Sequence, residues 1–233
     1  MTRPLSTDPA QRLAGRRLYL CTPDRPDLEQ FVARAIRGGV DVVQLRDKTL
    51  EARPLMARAR RCQAVCRDHD VPFIVNDRPD LALAVEADGV HVGQDDVPAS
   101  LARRLLGPDA IVGLSTHRRE ELEQAISEPV DYISAGPVVA TPTKPGRPGT
   151  GLGYLAQATA QAAAWPGQSS PMPVFVTGGV SPSSVPELVA AGATRFVVVR
   201  YLTEADDPQA AARRLRRAID ALLDPPGRGG STS

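Results

Sequence analysis

Eight short apolar runs, each followed by a stretch with helical spacing, constrain this chain more than any other feature of its sequence. The runs are rich in Val, Ile and Leu without regular polar alternation, which is typical of parallel strands covered on both faces. Between them, apolar residues recur at the three- to four-residue spacing of amphipathic helices. The predicted strands cover residues 18–21, 40–45, 71–75, 89–92, 110–114, 132–135, 174–176 and 196–199.

Eight strand–helix units predict an α/β fold, a single-domain TIM (β/α)8 barrel, in which the parallel strands close on themselves. A doubly wound open sheet is the alternative, but no G-x-G-x-x-G pattern follows the first apolar run. A chain of 233 residues, 42% of them hydrophobic, is long enough for one such core. We expect the barrel over residues 17–223, a flexible N-terminal arm over 1–16 and a disordered tail over 224–233.

The charge balance limits the classes of partner. With 28 basic and 27 acidic residues the formal net charge is +1, so there is no basic field for a nucleic acid. No apolar run approaches the ~20 residues that span a bilayer, and no signal-peptide region is seen at the N-terminus. Cys21, Cys62 and Cys66 cannot all pair and are interpreted as buried thiols in a reducing cytoplasm. Small-molecule substrates are therefore expected, and a homo-oligomer is compatible with the sequence.

Two aspartates follow neighbouring predicted strands at equivalent positions. Asp77 ends the run 71–75 with Asn76 beside it, and Asp96 closes the segment that follows the run 89–92. Because parallel strands connected by a helix end at the same edge of a sheet, the two carboxylates are expected to converge. Mg²⁺ usually takes one or two protein carboxylates together with waters and a substrate phosphate. The alternative is that each aspartate only caps a helix or turn.

Cations and glycines at other strand ends indicate a phosphorylated ligand. Arg46 and Lys48 follow the second run, beside the predicted metal pair, where they would neutralise a diphosphate. Gly178 and Gly179 follow the seventh run, where backbone N–H groups can approach a phosphate. The alternatives are a solvated loop and a tight turn.

The loop from 136 to 151 is too rich in Pro and Gly for regular structure. It carries Thr141, Thr143 and Lys144 on one extended segment, which either covers a substrate as a lid or is a plain surface loop. His117, after the fifth run, could relay a proton, although capping of the following helix is the favoured interpretation.

Six short motifs stand after successive predicted strands over about residues 18–222. They are Gln44-Leu45-Arg46-Asp47-Lys48, Asn76-Asp77, His91-Val92-Gly93-Gln94-Asp95-Asp96, Gly113-Leu114-Ser115, Gly136-Pro137 with Thr141-Pro142-Thr143-Lys144, and Gly178-Gly179-Val180. Together they resemble the thiamine phosphate synthase family. The resemblance implies a (β/α)8 barrel that joins hydroxymethylpyrimidine diphosphate to hydroxyethylthiazole phosphate with Mg²⁺, releasing pyrophosphate.

The resemblance also implies a role for each matching residue. Asp77 and Asp96 would hold Mg²⁺, and Gln44 would bind the aminopyrimidine. Lys144, Arg46 and Ser115 would be catalytic through their contacts with the diphosphate. The remaining substrate contacts implied are Lys48 and Asn76 at the diphosphate, and Thr141, Thr143, Gly179, Val199 and Arg200 at the thiazole phosphate.

One position departs from the family pattern. A small Ser is expected after the eighth strand, and this chain has Arg200, which either adds a guanidinium to the phosphate site or contributes only its backbone. Three other readings remain open: a related thiazole tautomerase using a base such as His117, a sugar-phosphate isomerase or epimerase, and a non-catalytic binder of thiamine precursors. The polar residues at six strand ends argue against a purely structural barrel.

Overall fold

Eight parallel strands form a closed barrel in which each strand hydrogen-bonds to the next and the eighth pairs with the first. The computed structural model describes residues 8–141, 148–165 and 171–225. The predicted (β/α)8 fold is confirmed, with strand bounds within two residues of the predictions. The strands are β1 (Leu18–Thr22), β2 (Val42–Leu45), β3 (Phe73–Asn76), β4 (Gly89–Val92), β5 (Ile111–Thr116), β6 (Tyr132–Ala135), β7 (Val174–Val176) and β8 (Arg195–Val198).

Helices follow every strand and cover the outside of the barrel. The sequence does not predict α1 or the short α9, which directly follows β8, and α7 begins at Gly151, the last residue of the predicted irregular loop. The helices are α1 (Pro9–Leu13), α2 (Leu28–Arg37), α3 (Ala52–Asp68), α4 (Pro79–Ala84), α5 (Ala99–Leu106), α6 (Arg119–Ala125), α7 (Gly151–Ala163), α8 (Val185–Ala190), α9 (Arg200–Thr203) and α10 (Pro208–Leu223).

Along most strands the side chains alternate between two separate apolar clusters. Successive strand residues point to opposite faces, and Leu20, Val43 and Val75 belong to the larger cluster, which the helices share. The residues that alternate with these along the strands point inward and fill the barrel interior at the amino ends of the strands. This second group, here called the interior cluster, consists of Leu13, Tyr19, Val42, Ile74, Ile111, Tyr132 and Phe175. Space is therefore left inside the barrel at the carboxyl ends.

The expectation of a flexible arm over 1–16 does not hold for residues 8–16. Asp8 caps α1 by accepting a hydrogen bond from the Ala10 N–H at 3.0 Å, with Pro9 in the first turn. Leu13 is fully buried in the interior cluster, and Arg12 pairs with Asp88 at 2.9 Å. α1 therefore closes the amino end of the barrel, while residues 1–7 lie outside the described residues.

The C-terminal segment is described as far as residue 225. Asp224, placed in the predicted tail, accepts a hydrogen bond from Arg17 Nη2 at 3.0 Å, so that it adjoins the barrel. The rest of the predicted tail, 226–233, lies outside the described residues.

The three cysteines are free and buried, as the sequence predicted. Cys62 and Cys66 lie one turn apart on α3, and burial raises the pKa of the Cys66 thiol well above its ordinary value. Such thiols pack as small apolar groups. Over the part of the chain that the structure describes, every helix is too short or too polar to cross a bilayer.

Candidate active site

A cavity of about 660 Å³ opens at the carboxyl ends of the strands. Thr143 and Lys144, within 142–147, lie outside the described residues, and all the other predicted site residues line this cavity. Those residues are Gln44, Arg46, Lys48, Asn76, Asp77, Asp96, Ser115, Thr141, Gly179, Val199 and Arg200. Side chains that are far apart in the sequence thus meet in one concave site.

Asp77 and Asp96 converge within this cavity. Asp77 takes a left-handed backbone with φ of 60°, and its N–H donates to the His91 carbonyl at 2.8 Å. Asp96 folds back to accept a hydrogen bond from the Gly93 N–H at 2.8 Å. Burial raises the pKa of Asp96, and the Asp77 carboxyl within hydrogen-bonding reach raises it further. Two carboxyl groups this close repel each other when both are ionised, so that a cation between them is favourable.

The ammonium group of Lys48 lies next to the carboxyl groups of Asp77 and Asp96. Lys48 Nζ lies 2.8 Å from Asp77 Oδ2. Asp47, which could have neutralised its neighbours, instead accepts hydrogen bonds from the backbone N–H groups of Thr49 and Leu50 at 2.8 and 2.9 Å. It thereby shapes the turn before α3, and Arg46 and Lys48 both remain in the cavity lining.

Unsatisfied polar atoms mark the cavity wall. Gln44 is 4% exposed, and among the described residues its side-chain Nε2 has no hydrogen-bond partner. The same holds for Oγ1 of Thr177, which also lines the cavity. Buried polar groups are normally paired, so these atoms fit a polar ligand in the cavity.

A buried hydrogen-bonded chain runs from the cavity into the interior cluster. His91 Nε2 lies 2.9 Å from Ser115 Oγ, and His91 Nδ1 lies 3.0 Å from Tyr132 Oη. Tyr132 Oη is 2.9 Å from Tyr19 Oη, and Ser134 donates to Ser115 at 3.3 Å. The sequence places His91 in a strand and in a motif but gives it no role of its own. Its register opposite Asn76 shows that it faces inward, a signal that strand alternation carries.

The loop after β7 is shaped by two glycines. Gly178 and Gly179 have φ of 91° and 73°, and a Cβ on Gly178 would lie 2.6 Å from Pro137 Cβ. Ser184 Oγ donates to the Gly179 carbonyl at 2.8 Å. α8 begins only at Val185, so the lining residues from Gly178 to Ser181 belong to the loop and not to a helix terminus.

His117 and Arg200, to which the sequence assigns no single role, both have defined partners in the structure. Glu121 Oε2 accepts from the His117 backbone N–H at 2.8 Å and lies 2.9 Å from His117 Nδ1, which ties His117 to the first turn of α6. The N-cap of α6 is Arg118, so His117 lies beside the first turn and does not cap the helix with its side chain. Arg200 lines the cavity and forms a bidentate ion pair with Glu204, in which Nε donates to Oε1 at 2.7 Å and Nη2 donates to Oε2 at 3.3 Å.

A parallel eight-stranded barrel with a cavity that carries polar side chains at the carboxyl ends of its strands belongs to the class of (β/α)8-barrel enzymes. The model of the family described as thiamine monophosphate synthase matches residues 18–202. The chain therefore belongs to the thiamine monophosphate synthase family, and like its named relatives it is a transferase.

Individual relatives agree with this placement. The thiamine-phosphate synthase of Thermobifida fusca is 47% identical over 215 residues, covering 91% of this chain and 95% of that protein. The one from Thermosynechococcus vestitus is 44% identical over 209 residues, covering 90% of this chain, which spans only 57% of that longer protein. A solved structure, the thiamine phosphate pyrophosphorylase of Pyrococcus furiosus, is 29% identical with a TM-score of 0.77, covering 89% of this chain and 97% of that one.

Proposed function

We propose that this chain condenses 4-amino-2-methyl-5-(diphosphooxymethyl)pyrimidine with 4-methyl-5-(2-phosphooxyethyl)thiazole, giving thiamine phosphate and pyrophosphate. One observation carries the proposal: the converging carboxyl groups of Asp77 and Asp96, with Lys48 beside them, face the same cavity as the Gln44 amide nitrogen, which has no partner among the described residues. A diphosphate needs cations around its oxygens, and an aminopyrimidine needs a buried polar partner. The names of the relatives support the same reaction.

The proposed reaction is a dissociative substitution. The bond between the methylene carbon and the diphosphate oxygen breaks first, and its electron pair leaves with pyrophosphate. The positive charge left on the methylene spreads into the electron-rich aminopyrimidine ring. The thiazole nitrogen then uses its lone pair to form the new C–N bond. No side-chain nucleophile is needed, so the protein contributes positioning and charge stabilisation.

The donor set near Asp77 fits a divalent cation. Two carboxyl groups within hydrogen-bonding reach of each other supply the hard oxygen ligands that Mg²⁺ prefers, and burial of Asp96 makes its ionised form costly without a cation. We propose that Asp77 and Asp96 hold Mg²⁺, which when bound stabilises charge on the leaving group. Arg46, Lys48, Asn76 and Ser115 would bind the remaining diphosphate oxygens, together with Lys144 from outside the described residues.

The second substrate would bind nearer the opening. The backbone of Gly179, with that of Val199 and Arg200, would hold the thiazole phosphate. Thr141 and Thr143 would complete this part of the site from the loop after β6. We also propose a cytoplasmic location, which fits three cysteines that are free thiols.

The decisive experiment is incubation of the purified protein with both precursors, with Mg²⁺ or with EDTA. Thiamine phosphate and pyrophosphate should form in equal amounts, and only with the metal present. Turnover of the thiazole alone without metal would instead indicate a tautomerase. Absence of any product, with both ligands binding, would indicate a non-catalytic binder.

A further inference from the structure

Val139 differs in its location from the other exposed apolar side chains of the described residues. It is 58% exposed, yet it belongs to the lining of the cavity. The other large apolar side chains with substantial exposure lie on helices and outside the cavity lining, and they are Leu83, Leu105, Leu152 and Leu222. A single exposed apolar side chain on an outer helix needs no special explanation. One that is exposed inside a ligand cavity indicates contact with an apolar part of a ligand.

The backbone beside Val139 is held by hydrogen bonds to two other segments. The Val138 N–H donates to the Thr177 carbonyl at 2.8 Å, which ties this segment to the loop after β7. The Thr150 N–H donates to the Pro137 carbonyl at 2.8 Å, which ties the same segment to the residues before α7. Val139 is therefore presented to the cavity by a backbone that is fixed on two sides.

Gly149 permits the close approach of these segments. A Cβ on Gly149 would lie 2.7 Å from the Val138 carbonyl oxygen and 3.2 Å from Val139 Cα. Because both of these atoms belong to the backbone, a side chain at position 149 would displace the segment that carries Val139. The position of Val139 in the cavity thus depends on a backbone contact that glycine allows.

The side chain of Val139 lies beside Gly179, whose backbone is proposed to hold the phosphate of the second substrate. A Cβ on Gly179 would lie 3.4 Å from both Cβ and Cγ2 of Val139, which is van der Waals distance. The isopropyl group of Val139 therefore adjoins this glycine directly. A ligand whose phosphate is bound at Gly179 has the atoms next to that phosphate close to Val139.

The two substrates of the proposed reaction differ in what they require from this part of the cavity. In the thiazole phosphate, a two-carbon chain joins the phosphate to a ring that carries a methyl group and a sulfur atom, and these parts are largely apolar. The aminopyrimidine has an amino group and ring nitrogens, which suit the polar Gln44. Removing the thiazole carbons and the exposed isopropyl group from water together is favourable.

We propose that Val139 is a specificity-determining residue for the second substrate. Its side chain forms the apolar wall on which the thiazole ring and its two-carbon chain pack while the phosphate is held at Gly179. The identity of the ligand rests on the proposed function, whereas the position of Val139 beside Gly179 rests on the geometry. Val139 has no group that can make or break a bond, so its contribution is to the binding of one substrate.

The test measures ligand binding to Val139→Ala and Val139→Thr by calorimetry. Ala removes both methyl groups, whereas Thr keeps the branched shape and replaces one methyl group by a hydroxyl that must lose water when the ring packs on it. The Kd for the thiazole phosphate should rise about three- to tenfold in both variants. The second probe is inorganic pyrophosphate with Mg²⁺, which is expected at Asp77 and Asp96. Its Kd should stay within about twofold of the wild-type value, because that site does not include Val139.

Leu105→Ala is the matched control, since it removes an exposed apolar side chain from α5 outside the cavity lining. Both Kd values should be unchanged in this variant. An unchanged Kd for the thiazole phosphate in Val139→Ala overturns the proposal. A wild-type Kd in Val139→Thr also overturns it, because the shape of residue 139 would then matter and not its apolar surface. Equal weakening of both ligands would mean a general disturbance of the cavity and has the same consequence.

Failure of the proposed function gives a different result. A wild-type protein that does not bind the thiazole phosphate contradicts the proposed function and this proposal with it. A wild-type protein that forms thiamine phosphate, while Val139→Ala binds the thiazole phosphate equally well, contradicts this proposal alone.

Discussion

Lys48 Nζ lies 2.8 Å from Asp77 Oδ2, although the two residues belong to loops that follow different strands. The lysine side chain is 54% exposed and that of Asp77 is 18% exposed, so the cation reaches the carboxylate from the solvent side. Asp96 adjoins the same carboxyl. One ammonium facing two carboxylates leaves a net negative charge when both are ionised, and the site therefore has capacity for a further cation.

Replacement of Asp77 by Asn should lower turnover by about a hundredfold or more, because the proposed Mg²⁺ would lose a charged ligand. The fold should be retained, since Asn tolerates the positive φ of 60° at this position. Pyrophosphate release and circular dichroism measure the two effects. Asp80→Asn, which removes a carboxylate paired with Arg78 outside the cavity lining, is the control. A wild-type rate in folded Asp77→Asn contradicts the metal assignment.

Asp96→Asn should raise the free energy of unfolding at pH 7 while reducing activity. Burial and the neighbouring Asp77 raise the pKa of Asp96. A carboxyl with a raised folded-state pKa stabilises the fold below its unfolded pKa of about 4, and this contribution is lost as pH rises through the folded-state value. The gain should be at most about 0.5 kcal/mol after solvent screening.

Urea unfolding at pH 7 and at pH 4 checks this dependence. The advantage of the variant over wild type should shrink toward pH 4. Asp206→Asn, an exposed carboxylate between α9 and α10, should show no such gain. A variant less stable than wild type at pH 7 would mean that the contact from the Gly93 N–H outweighs the repulsion.

The pair between Arg200 and Glu204 should tune binding of the thiazole phosphate. Glu204→Gln frees the guanidinium at the cavity rim and should lower the KM about two- to fivefold, while Arg200→Ser should raise it similarly. This range follows from the modest strength of exposed ion pairs. Both effects should diminish in high salt. Unchanged KM values in both variants would show that residue 200 contributes only its backbone.

Gly113→Ala should destabilise the barrel by about 3 kcal/mol or more, because the new Cβ would lie 2.1 Å from Tyr132 Cζ in a rigid interior. Gly153→Ala is the matched control, since this exposed helical glycine has no heavy atom within 4 Å of the new Cβ. It should stabilise the protein by about 0.5–1 kcal/mol. Denaturant unfolding distinguishes them, and equal stability of the two variants would contradict the packing described for Tyr132.

Leu13→Ala should cost about 2–4 kcal/mol, because the Leu13 side chain is fully buried in the interior cluster. Leu83→Ala, at a site that is 53% exposed on α4, should cost less than about 1 kcal/mol. Thermal or urea unfolding of the two variants tests whether α1 is an integral part of the barrel. A small loss in Leu13→Ala would show that α1 is dispensable.

The fold could be predicted because its signal is repeated along the chain. Each of the eight apolar runs from 18–21 to 196–199 predicts a buried parallel strand, and an error of two residues in the bounds of one strand does not alter the predicted fold. The convergence of Asp77 and Asp96 could be predicted because parallel strands joined by a helix end at the same edge of the sheet. The roles of the site residues remain predictions, and Thr143 and Lys144 lie outside the described residues.

The features that sequence reasoning missed depend on contacts between distant segments. α1 resembled a loose polar arm, since the burial of Leu13 is decided by strands that lie far along the chain. His91 seemed an ordinary strand residue because its partners, Tyr132 and Ser115, are 41 and 24 residues away. The sequence pattern shows which face a side chain takes, but not which side chain it meets there.

The closure of the amino end by α1 has a kinetic consequence. In the part of the chain that the structure describes, Leu13 and the aromatic rings of the interior cluster are buried and fill the amino end of the barrel. Small molecules must therefore enter and leave through the opening at the carboxyl ends of the strands. If the pyrimidine diphosphate binds beside Gln44 and the thiazole phosphate at Gly179, as proposed, both substrates would enter and both products would leave through this opening. The order in which these compounds bind and dissociate would then be restricted, because a ligand near the opening blocks one bound deeper.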